Sequence, residues 1–277
     1  MQQIQFELGQ LYQRSPNSSD ARCHTNLGYT QSYATLASRI SGKEIIPFPS
    51  RLRVAYARAT ISTDGYLIAA ETDMDIRTHW EKVYTTKTPE SVSWYRPHLE
   101  TSLNLIERAA GGKSASIIDV GGGESTLVDD LLARGYDKLT VLDVSQTAVD
   151  VTKKRLGLAA ERVHWLVADI TEVHLPPSTY DVWHDRAVFH FLTTPEQRTT
   201  YVQQVARAVK SGGHVIIATF GPEGPTKCSG LDVIRYDADS LHDQFGVRFR
   251  LEESSKELHR TPFGTTQQFL YCYCKVE

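Results

Sequence analysis

The chain has 277 residues and a net charge of −3, from 30 basic and 33 acidic side chains. This near balance argues against the basic surface typical of nucleic-acid-binding proteins, so we expect no nucleic-acid partner. No apolar run approaches the ~20 residues of a membrane span, and no signal-peptide pattern is visible, so we expect no membrane partner. The four cysteines form no CxxC pair, which predicts a reducing, cytoplasmic setting.

Residues 1–73 sustain neither a helical nor a strand period. The segment contains three prolines and many serines, and the first clear pattern begins just after Met74. We therefore predict an N-terminal extension over residues 1–73 that is disordered or dispensable, followed by a folded domain over residues 74–277. A transit peptide is the alternative for the extension, and the lack of an amphipathic helix disfavours it.

Two short helices with aromatic neighbours precede the first predicted strand of the folded domain. Residues 78–84 and 99–110 carry apolar side chains at helical spacing, and the second helix ends at a glycine pair. The aromatic residues in and between these helices are Trp80, Tyr84, Trp94 and Tyr95. They either form a lid over a ligand or pack on the sheet, and the sequence leaves both interpretations open.

The stretch Ser116–Thr126 predicts a strand, a tight turn and a helix. It begins with the apolar residues Ile117, Ile118 and Val120, continues with three glycines and leads into apolar residues at helical spacing. Glycines let a ligand approach the backbone without a Cβ in the way, and a helix start offers free N–H groups. We therefore expect a small nucleotide-like cofactor at this turn.

Strands and helices alternate from residue 116 to residue 220, which predicts an α/β fold with a doubly wound, mostly parallel sheet. Five strands are predicted over residues 116–120, 139–144, 163–169, 180–186 and 214–220.

The C-terminal region adds a hairpin to this sheet. Residues 248–258 and 267–275 predict two further strands that close the fold as an antiparallel pair, with the last strand between the fifth and the sixth. The sequence thus predicts a seven-stranded sheet with helices on both faces, after a poorly defined N-terminal extension.

Polar residues recur where the predicted parallel strands end. They are Asp119, Asp143, Asp169, Asp185 and Thr219. The carboxyl ends of parallel strands meet at one edge of the sheet, and ligands bind at that edge in doubly wound folds. Four acidic residues, each at the carboxyl end of a successive predicted strand, indicate a ligand site rather than scattered surface charges.

Residues 74–277, about three quarters of the chain, resemble the class I S-adenosylmethionine-dependent methyltransferases. The stretch Asp119–Gly123 resembles the glycine-rich first motif of that family. Asp143, which lies 20 residues after the last glycine of this motif, matches the acidic residue that binds ribose hydroxyls. The run Ala168–Ile170 matches the motif on the adenine side, and Tyr180–Ala187 is similar to the motif on the acceptor side.

The resemblance implies S-adenosyl-L-methionine as the cofactor and methyl transfer to an acceptor as the activity. The residues expected to bind the cofactor, with Trp94 added from the aromatic lid, are Asp119, Gly121, Gly122, Gly123, Asp143, Val144, Asp169, Ile170 and Trp94. A compact domain with no recognisable recognition module favours a small-molecule acceptor. No metal site is expected, because the cysteines are placed too far apart along the predicted fold to converge.

His184 and Asp185, at the end of the fourth strand, are the candidate catalytic residues. Methyl transfer from a sulfonium needs alignment and a dry cavity, and a protonated nucleophile also needs a base. An imidazole with a pKa of about 6.5 suits His184 for that role. Asp185 either shares it or forms hydrogen bonds with the cofactor or a backbone turn. Arg186 is a candidate for pairing with an anionic substrate.

Three alternatives stay open. A branch of protein-lysine methyltransferases carries an Asp-Lys-Gly run, but here Arg186 and Ala187 replace the lysine and the glycine. An NAD(P)-binding oxidoreductase usually has G-x-G-x-x-G, and Thr126 stands where the third glycine would be. A non-catalytic S-adenosylmethionine-binding module would share all these motifs. The first motif also departs from the family at Glu124 and Ser125, where many members have another glycine. The sequence does not indicate an oligomeric state.

Overall fold

The computed structural model describes residues 75–277 in full, and the backbone alone of residues 10–12, 23–25, 60–61 and 67–68. The short N-terminal strands form two antiparallel pairs, β1 (Gln10–Tyr12) with β2 (Cys23–Thr25) and β3 (Thr60–Ile61) with β4 (Leu67–Ile68). They belong to one unit, Met1–Asp75, and the rest of the chain forms a second. The prediction of a disordered or dispensable extension falls mostly outside the described residues and stays a prediction.

The second unit is built around one seven-stranded sheet, which confirms the predicted fold class. Its strands are β5 (Ser116–Val120), β6 (Lys138–Asp143), β7 (Val163–Val167), β8 (Tyr180–Arg186), β9 (Val209–Phe220), β12 (Phe249–Arg260) and β13 (Thr266–Val276). Their order is β12-β13-β9-β8-β5-β6-β7, and β5 to β9 run parallel. β13 is antiparallel to both of its neighbours and lies between β9 and β12, as predicted.

Six helices and a small hairpin complete the described part of this unit. The helices are α1 (Ile76–Thr86), α2 (Glu100–Ala109), α3 (Leu127–Ala133), α4 (Gln146–Leu156), α5 (Pro195–Ala208) and α6 (Ala238–Phe245), and the hairpin pairs β10 (Lys227–Cys228) with β11 (Leu231–Asp232). The longest of these helices has 14 residues. Within the described ranges, no helix has the length and hydropathy needed to cross a membrane.

Side chains that alternate along the strands build two separate cores. Ile117 lies in a core with residues of α2 and α3, whereas Ile118 lies in a core with residues of α5 and α6. Because successive side chains of a strand point to opposite faces, a run of apolar residues feeds both cores at once. The continuous apolar stretch of β5 is therefore explained by burial on both faces.

The fifth parallel strand differs from its prediction at its start. The sequence predicts a strand that starts at residue 214, but β9 already begins at Val209. Tyr180 pairs with Val209 and Val182 pairs with His214, so the residues between them bulge out opposite Asp181. The Nζ atom of Lys210 lies 2.7 Å from Asp181 Oδ1, which fastens the bulge to β8.

A buried polar network ties helix α5 to the end of β8. The hydroxyl of Tyr201 donates to Asp185 Oδ2 at 2.5 Å and accepts from Trp183 Nε1 at 2.9 Å. The same carboxylate accepts from the backbone N–H groups of Val188 and Phe189. Burial raises the pKa of Asp185 to about 6, so these hydrogen bonds hold a carboxylate whose charge is costly inside the core. Asp185 thereby fixes the turn that follows β8.

Replacing Tyr201 by phenylalanine is expected to lower the free energy of unfolding by about 1–3 kcal/mol. The substitution leaves the buried indole N–H of Trp183 without an acceptor and removes one hydrogen-bond donor from the carboxylate of Asp185. Urea denaturation followed by circular dichroism measures the change. The matched control is Tyr136→Phe, at a buried tyrosine whose ring lies beneath Lys113 rather than against a carboxylate. Equal effects of the two substitutions would contradict the anchoring role of Tyr201.

Candidate functional site

The glycine turn after β5 packs tightly against two acidic side chains. Gly121 has a φ of +71°, in the left-handed region that favours glycine. A Cβ on Gly122 would lie 2.5 Å from Asp119 Oδ2, and a Cβ on Gly123 would lie 2.6 Å from Asp143 Oδ2. No side chain fits at either position without displacing a carboxylate. The turn therefore needs glycine both for its conformation and for this close approach.

A cavity lies between this turn, the end of β8 and the segment that follows α1. Among the predicted site residues, those that line the cavity are Trp94, Asp119, Gly121, Gly122 and His184. Tyr84 of α1 and residues 89–96 supply its outer wall. The rings of Trp80, Tyr84 and Trp94 contact one another edge-on or tilted, with centroids 5.7 to 6.5 Å apart. Of the two sequence interpretations of these aromatic residues, the structure supports a wall over the cavity.

Two carboxylates that line the cavity have buried oxygens without a hydrogen-bond partner among the described residues. They are Oδ2 of Asp119 and both oxygens of Glu124. Glu124 is only 6% exposed. Burial raises its pKa to about 7, although the charge of Arg155 acts in the opposite direction. Free acceptors in a buried wall suit a positively charged ligand group. An acidic residue directly after the glycines is a visible signal for this role, but Glu124 is interpreted from the sequence only as a departure from the family pattern.

Asp143 lies beside the cavity, against the glycine turn. Its Oδ1 accepts from the backbone N–H of Ser145 at 2.9 Å, and burial raises its pKa to about 7. The neighbouring charges of Asp119 and Glu81 act in the same direction. Glu81 of α1 accepts a hydrogen bond from the backbone N–H of Gln146 at 2.6 Å, and this bond links α1 to the start of α4. This contact holds the outer wall next to the acidic edge.

The other predicted cofactor residues lie further along the same edge of the sheet. Val144 is half-buried after β6, and Ile170 is buried in the core that contains α5 and α6. Asp169 is half-buried, and its Oδ1 accepts from the backbone N–H and the hydroxyl of Thr171, both at 2.7 Å. These three residues and Gly123 do not line the cavity. The structure therefore groups them into a second, neighbouring part of the edge.

His184 is buried between two partners. Its Nδ1 lies 2.7 Å from Asp119 Oδ1, and its Nε2 lies 2.9 Å from the hydroxyl of Ser102 on α2. A neutral ring with its proton on Nδ1 donates to the carboxylate and accepts from the hydroxyl. Both ring nitrogens are thus engaged, and Oδ2 of Asp119 is left without a hydrogen-bond partner among the described residues. This geometry suits His184 to positioning Asp119.

The structure separates the two predicted catalytic residues. His184 and Asp185 are neighbours in β8, so their side chains point to opposite faces of the sheet. His184 meets α2 and the cavity, whereas Asp185 meets Tyr201 of α5 and does not line the cavity. The hydrogen bonds of Asp185 to the following turn match the structural alternative that the sequence had left open for it.

Arg186, the last residue of β8, lines the cavity on the same face as His184. Its Nε donates to the hydroxyl of Tyr271 at 3.2 Å and its Nη1 donates to the carbonyl of Trp94 at 3.3 Å. The guanidinium carbon lies 4.1 Å from the ring centroid of Phe269. Sequence reasoning named Arg186 but missed these partners, because they are 85 to 92 residues away along the chain.

The described cysteines lie in two separate places. Cys228 belongs to the core with α2 and α3, whereas Cys272 and Cys274 belong to the other core. All three thiols are free and buried, and burial raises the pKa of each to about 12. Within the described part of the chain no group of three or more His, Cys, Asp or Glu residues has the arrangement of a metal site.

Comparisons with known proteins agree on one kind of domain. Residues 117–213 match a family model described as a methyltransferase domain. The chain is 25% identical over 138 residues to the eEF1A lysine and N-terminal methyltransferase of Mus musculus, which covers 50% of this chain and 19% of that protein. It is 32% identical over 119 residues to the ubiquinone biosynthesis O-methyltransferase of Nitrosomonas europaea, which covers 42% of this chain and 49% of that protein. The chain thus spans less than two thirds of either relative.

A solved structure shows the same fold. The N-methyltransferase NodS from Bradyrhizobium japonicum WM9, in complex with S-adenosyl-L-homocysteine, superposes with a TM-score of 0.54. The two chains are 14% identical, and the likeness covers 71% of this chain and 97% of that one.

The raised pKa values at the site predict a particular pH dependence of stability. The ordinary pKa of a glutamate carboxyl is 4.5, and burial in the folded protein raises the pKa of Glu124 to about 7. Stability contributed by its neutral form is fully present below the lower value and is lost as the pH rises through the higher one. Glu124→Gln is expected to remove part of this loss, so that wild type falls relative to the variant between pH 5 and pH 7.5. Urea denaturation at both pH values measures the difference, and parallel curves would contradict the burial of an ionisable Glu124.

Proposed function

Because the chain belongs to the class I S-adenosylmethionine-dependent methyltransferases, we propose that it transfers the methyl group of that cofactor to a small-molecule acceptor bound beside Arg186. The observation that carries the proposal is the lining of the cavity. One wall has carboxylate oxygens without hydrogen bonds next to the glycine turn, and another has a buried arginine with an amino group that forms no hydrogen bond with any described residue. The outer wall is aromatic.

The residues at the site fit S-adenosylmethionine, the cofactor of this family. The turn at Gly122 and Gly123 leaves no room for a Cβ and brings the backbone to the cavity edge. The free oxygens of Asp119 and Glu124 suit the positively charged groups of the cofactor, and Asp143 suits the ribose hydroxyls. When bound, S-adenosylmethionine supplies a methyl group on a sulfonium, which becomes a neutral thioether as the methyl group forms its bond to the acceptor.

The residues of this chain contribute alignment, exclusion of water and electrostatics. His184 holds one oxygen of Asp119 and so presents the other oxygen to the cavity. The rings of Trp80, Tyr84 and Trp94 keep water away from the reacting atoms, which strengthens every charge interaction inside. We infer that His184 is a positioning residue, because its second ring nitrogen is already hydrogen-bonded to Ser102.

A protein lysine is the second candidate acceptor, since one relative is an eEF1A lysine and N-terminal methyltransferase. The charges around the cavity favour the small molecule. Two arginines, Arg96 and Arg186, share the single carboxylate of Glu257 on this side. The resulting positive excess repels a lysine ammonium and disfavours its approach. The O-methyltransferase relative shows that the domain also occurs in proteins named for small-molecule chemistry.

Replacing Asp143 by alanine is expected to weaken S-adenosylmethionine binding about tenfold or more at pH 8, because a charge-assisted contact to the ribose hydroxyls is lost. Isothermal calorimetry measures the dissociation constant. Asp137→Ala is the control, since Asp137 is exposed next to the opposite end of the same strand. Unchanged affinity in Asp143→Ala would remove the ribose role from this residue.

Transfer itself is tested with S-adenosylmethionine carrying a tritiated methyl group. The purified chain is incubated with pools of small phenols, amines and carboxylic acids and, separately, with lysine-rich proteins. We expect label in the small-molecule fraction. Label in the protein alone would favour the lysine candidate, and cofactor binding without transfer to any pool would favour a non-catalytic binding module.

The cytoplasmic location stays a prediction, and the free buried thiols are consistent with it.

A further inference from the structure

Arg186 has one amino group, Nη2, that forms no hydrogen bond with any described residue and has only a long ion pair, 3.8 Å, with Glu257. Its side chain is 6% exposed. The other two guanidinium nitrogens are engaged by Tyr271 and Trp94, and the ring of Phe269 supports the flat face. The guanidinium is therefore held in one orientation before any ligand arrives. A buried and oriented donor that forms no hydrogen bond is costly unless a ligand accepts from it.

The local charge around Arg186 is positive. Glu257 is the nearby carboxylate, with Oε1 3.8 Å from Arg186 Nη2 and 2.9 Å from Arg96 Nη1. Its other oxygen accepts from the hydroxyl of Thr101 at 2.5 Å. One carboxylate therefore serves two guanidinium groups and a hydroxyl.

Four further titratable groups lie around this cluster, and all are neutral near pH 7. Burial lowers the pKa of His190 to about 3 and raises the pKa of Cys228 to about 12. Burial lowers the pKa of His259, and its Nε2 donates to the carbonyl of Ser93 at 2.7 Å. Burial raises the pKa of Tyr271, so its hydroxyl keeps its proton. The cluster of Arg96, Arg186 and Glu257 thus keeps a net charge of one positive unit, which an anionic ligand group would neutralise.

Arg186 is held by the segment around Trp94 and by the hairpin of β12 and β13. In the sheet this hairpin lies beyond β9, on the opposite side of β8 from β6 and β7. These elements also lie outside residues 117–213, the part that matches the methyltransferase family model. Elements outside the domain that the family shares are a natural place for acceptor recognition, because function depends on the site and not on the fold.

We propose that Nη2 of Arg186 binds a carboxylate group of the acceptor, so that the substrate is a small carboxylic acid with a separate nucleophilic atom. The inference rests on the proposed methyl transfer and names its substrate class. A guanidinium matches the geometry of a carboxylate, and anchoring that group positions the rest of the acceptor within the cavity that the glycine turn also lines.

The test measures binding, so its result does not depend on turnover. The protein is saturated with S-adenosylhomocysteine, and benzoate and malonate are titrated by calorimetry, each against its neutral amide. At least one carboxylate is expected to bind wild type about tenfold more tightly than its amide. Arg186→Gln is expected to abolish this preference. Arg108→Gln is the matched control, because Arg108 of α2 pairs with Glu253 of β12 on the exposed surface.

A second variant is expected to change carboxylate binding in the opposite direction, and it keeps the proposal testable if Arg186→Gln does not fold. Glu257→Gln removes the competing carboxylate and is expected to tighten carboxylate binding severalfold. No preference for carboxylates in wild type, or an unchanged preference in both variants, would overturn the proposal.

The cofactor also carries a carboxylate, and a parallel titration separates the two sources. S-adenosylhomocysteine has that group, whereas 5′-methylthioadenosine lacks the amino-acid part. If Arg186→Gln weakens binding of the first about tenfold and leaves the second unchanged, Arg186 binds the cofactor and the acceptor assignment is wrong. If both ligands bind the variant normally and the carboxylate preference is lost, the acceptor assignment holds.

Discussion

The site depends on the close approach of a glycine turn to two buried carboxylates. Leu142 accepts hydrogen bonds from the backbone N–H groups of Gly121 and Gly122, which locks the turn onto the end of β6. The Oδ2 atoms of Asp119 and Asp143 then lie only 2.5 and 2.6 Å from the positions that a Cβ on Gly122 and on Gly123 would take. Such burial raises the free energy of an ionised carboxylate, and the protein accepts that cost at the position where a cationic cofactor can offset it.

The secondary structure follows from the sequence because each signal is local. Runs of five to seven residues rich in apolar side chains, separated by helical patterns, predict the parallel strands, and the structure places β5 and β8 at the predicted residues. The same periodicity held information about the site that the sequence interpretation did not use. Adjacent residues of a strand face opposite ways. His184 and Asp185 were assigned to one reaction, although the period of two already places them on different faces of the sheet.

The parts that could not be predicted are those that join distant segments. Thr101 and Glu257 are 156 residues apart, and His184 and Ser102 are 82 residues apart. No pattern of spacing encodes such pairs, because they arise only when α2 packs over the sheet and β12 closes its edge. Glu124 is different, since a charged residue directly after a run of glycines is visible in the sequence. Its importance lies in its burial, which depends on the wall formed by α1 and the following segment.

One chain of hydrogen bonds links the two ends of the cavity. Arg186 donates to Tyr271, whose hydroxyl lies 3.4 Å from Ser102, and Ser102 in turn lies 2.9 Å from His184, which meets Asp119. A guanidinium can only donate and a carboxylate can only accept, so with the imidazole proton on Nδ1 alone the hydroxyl and imidazole protons between them can all point towards Asp119. Aligned bonds of this kind strengthen one another. The network therefore fixes a positive end and a negative end in a single cavity, which favours ligands whose own charges run in the opposite sense.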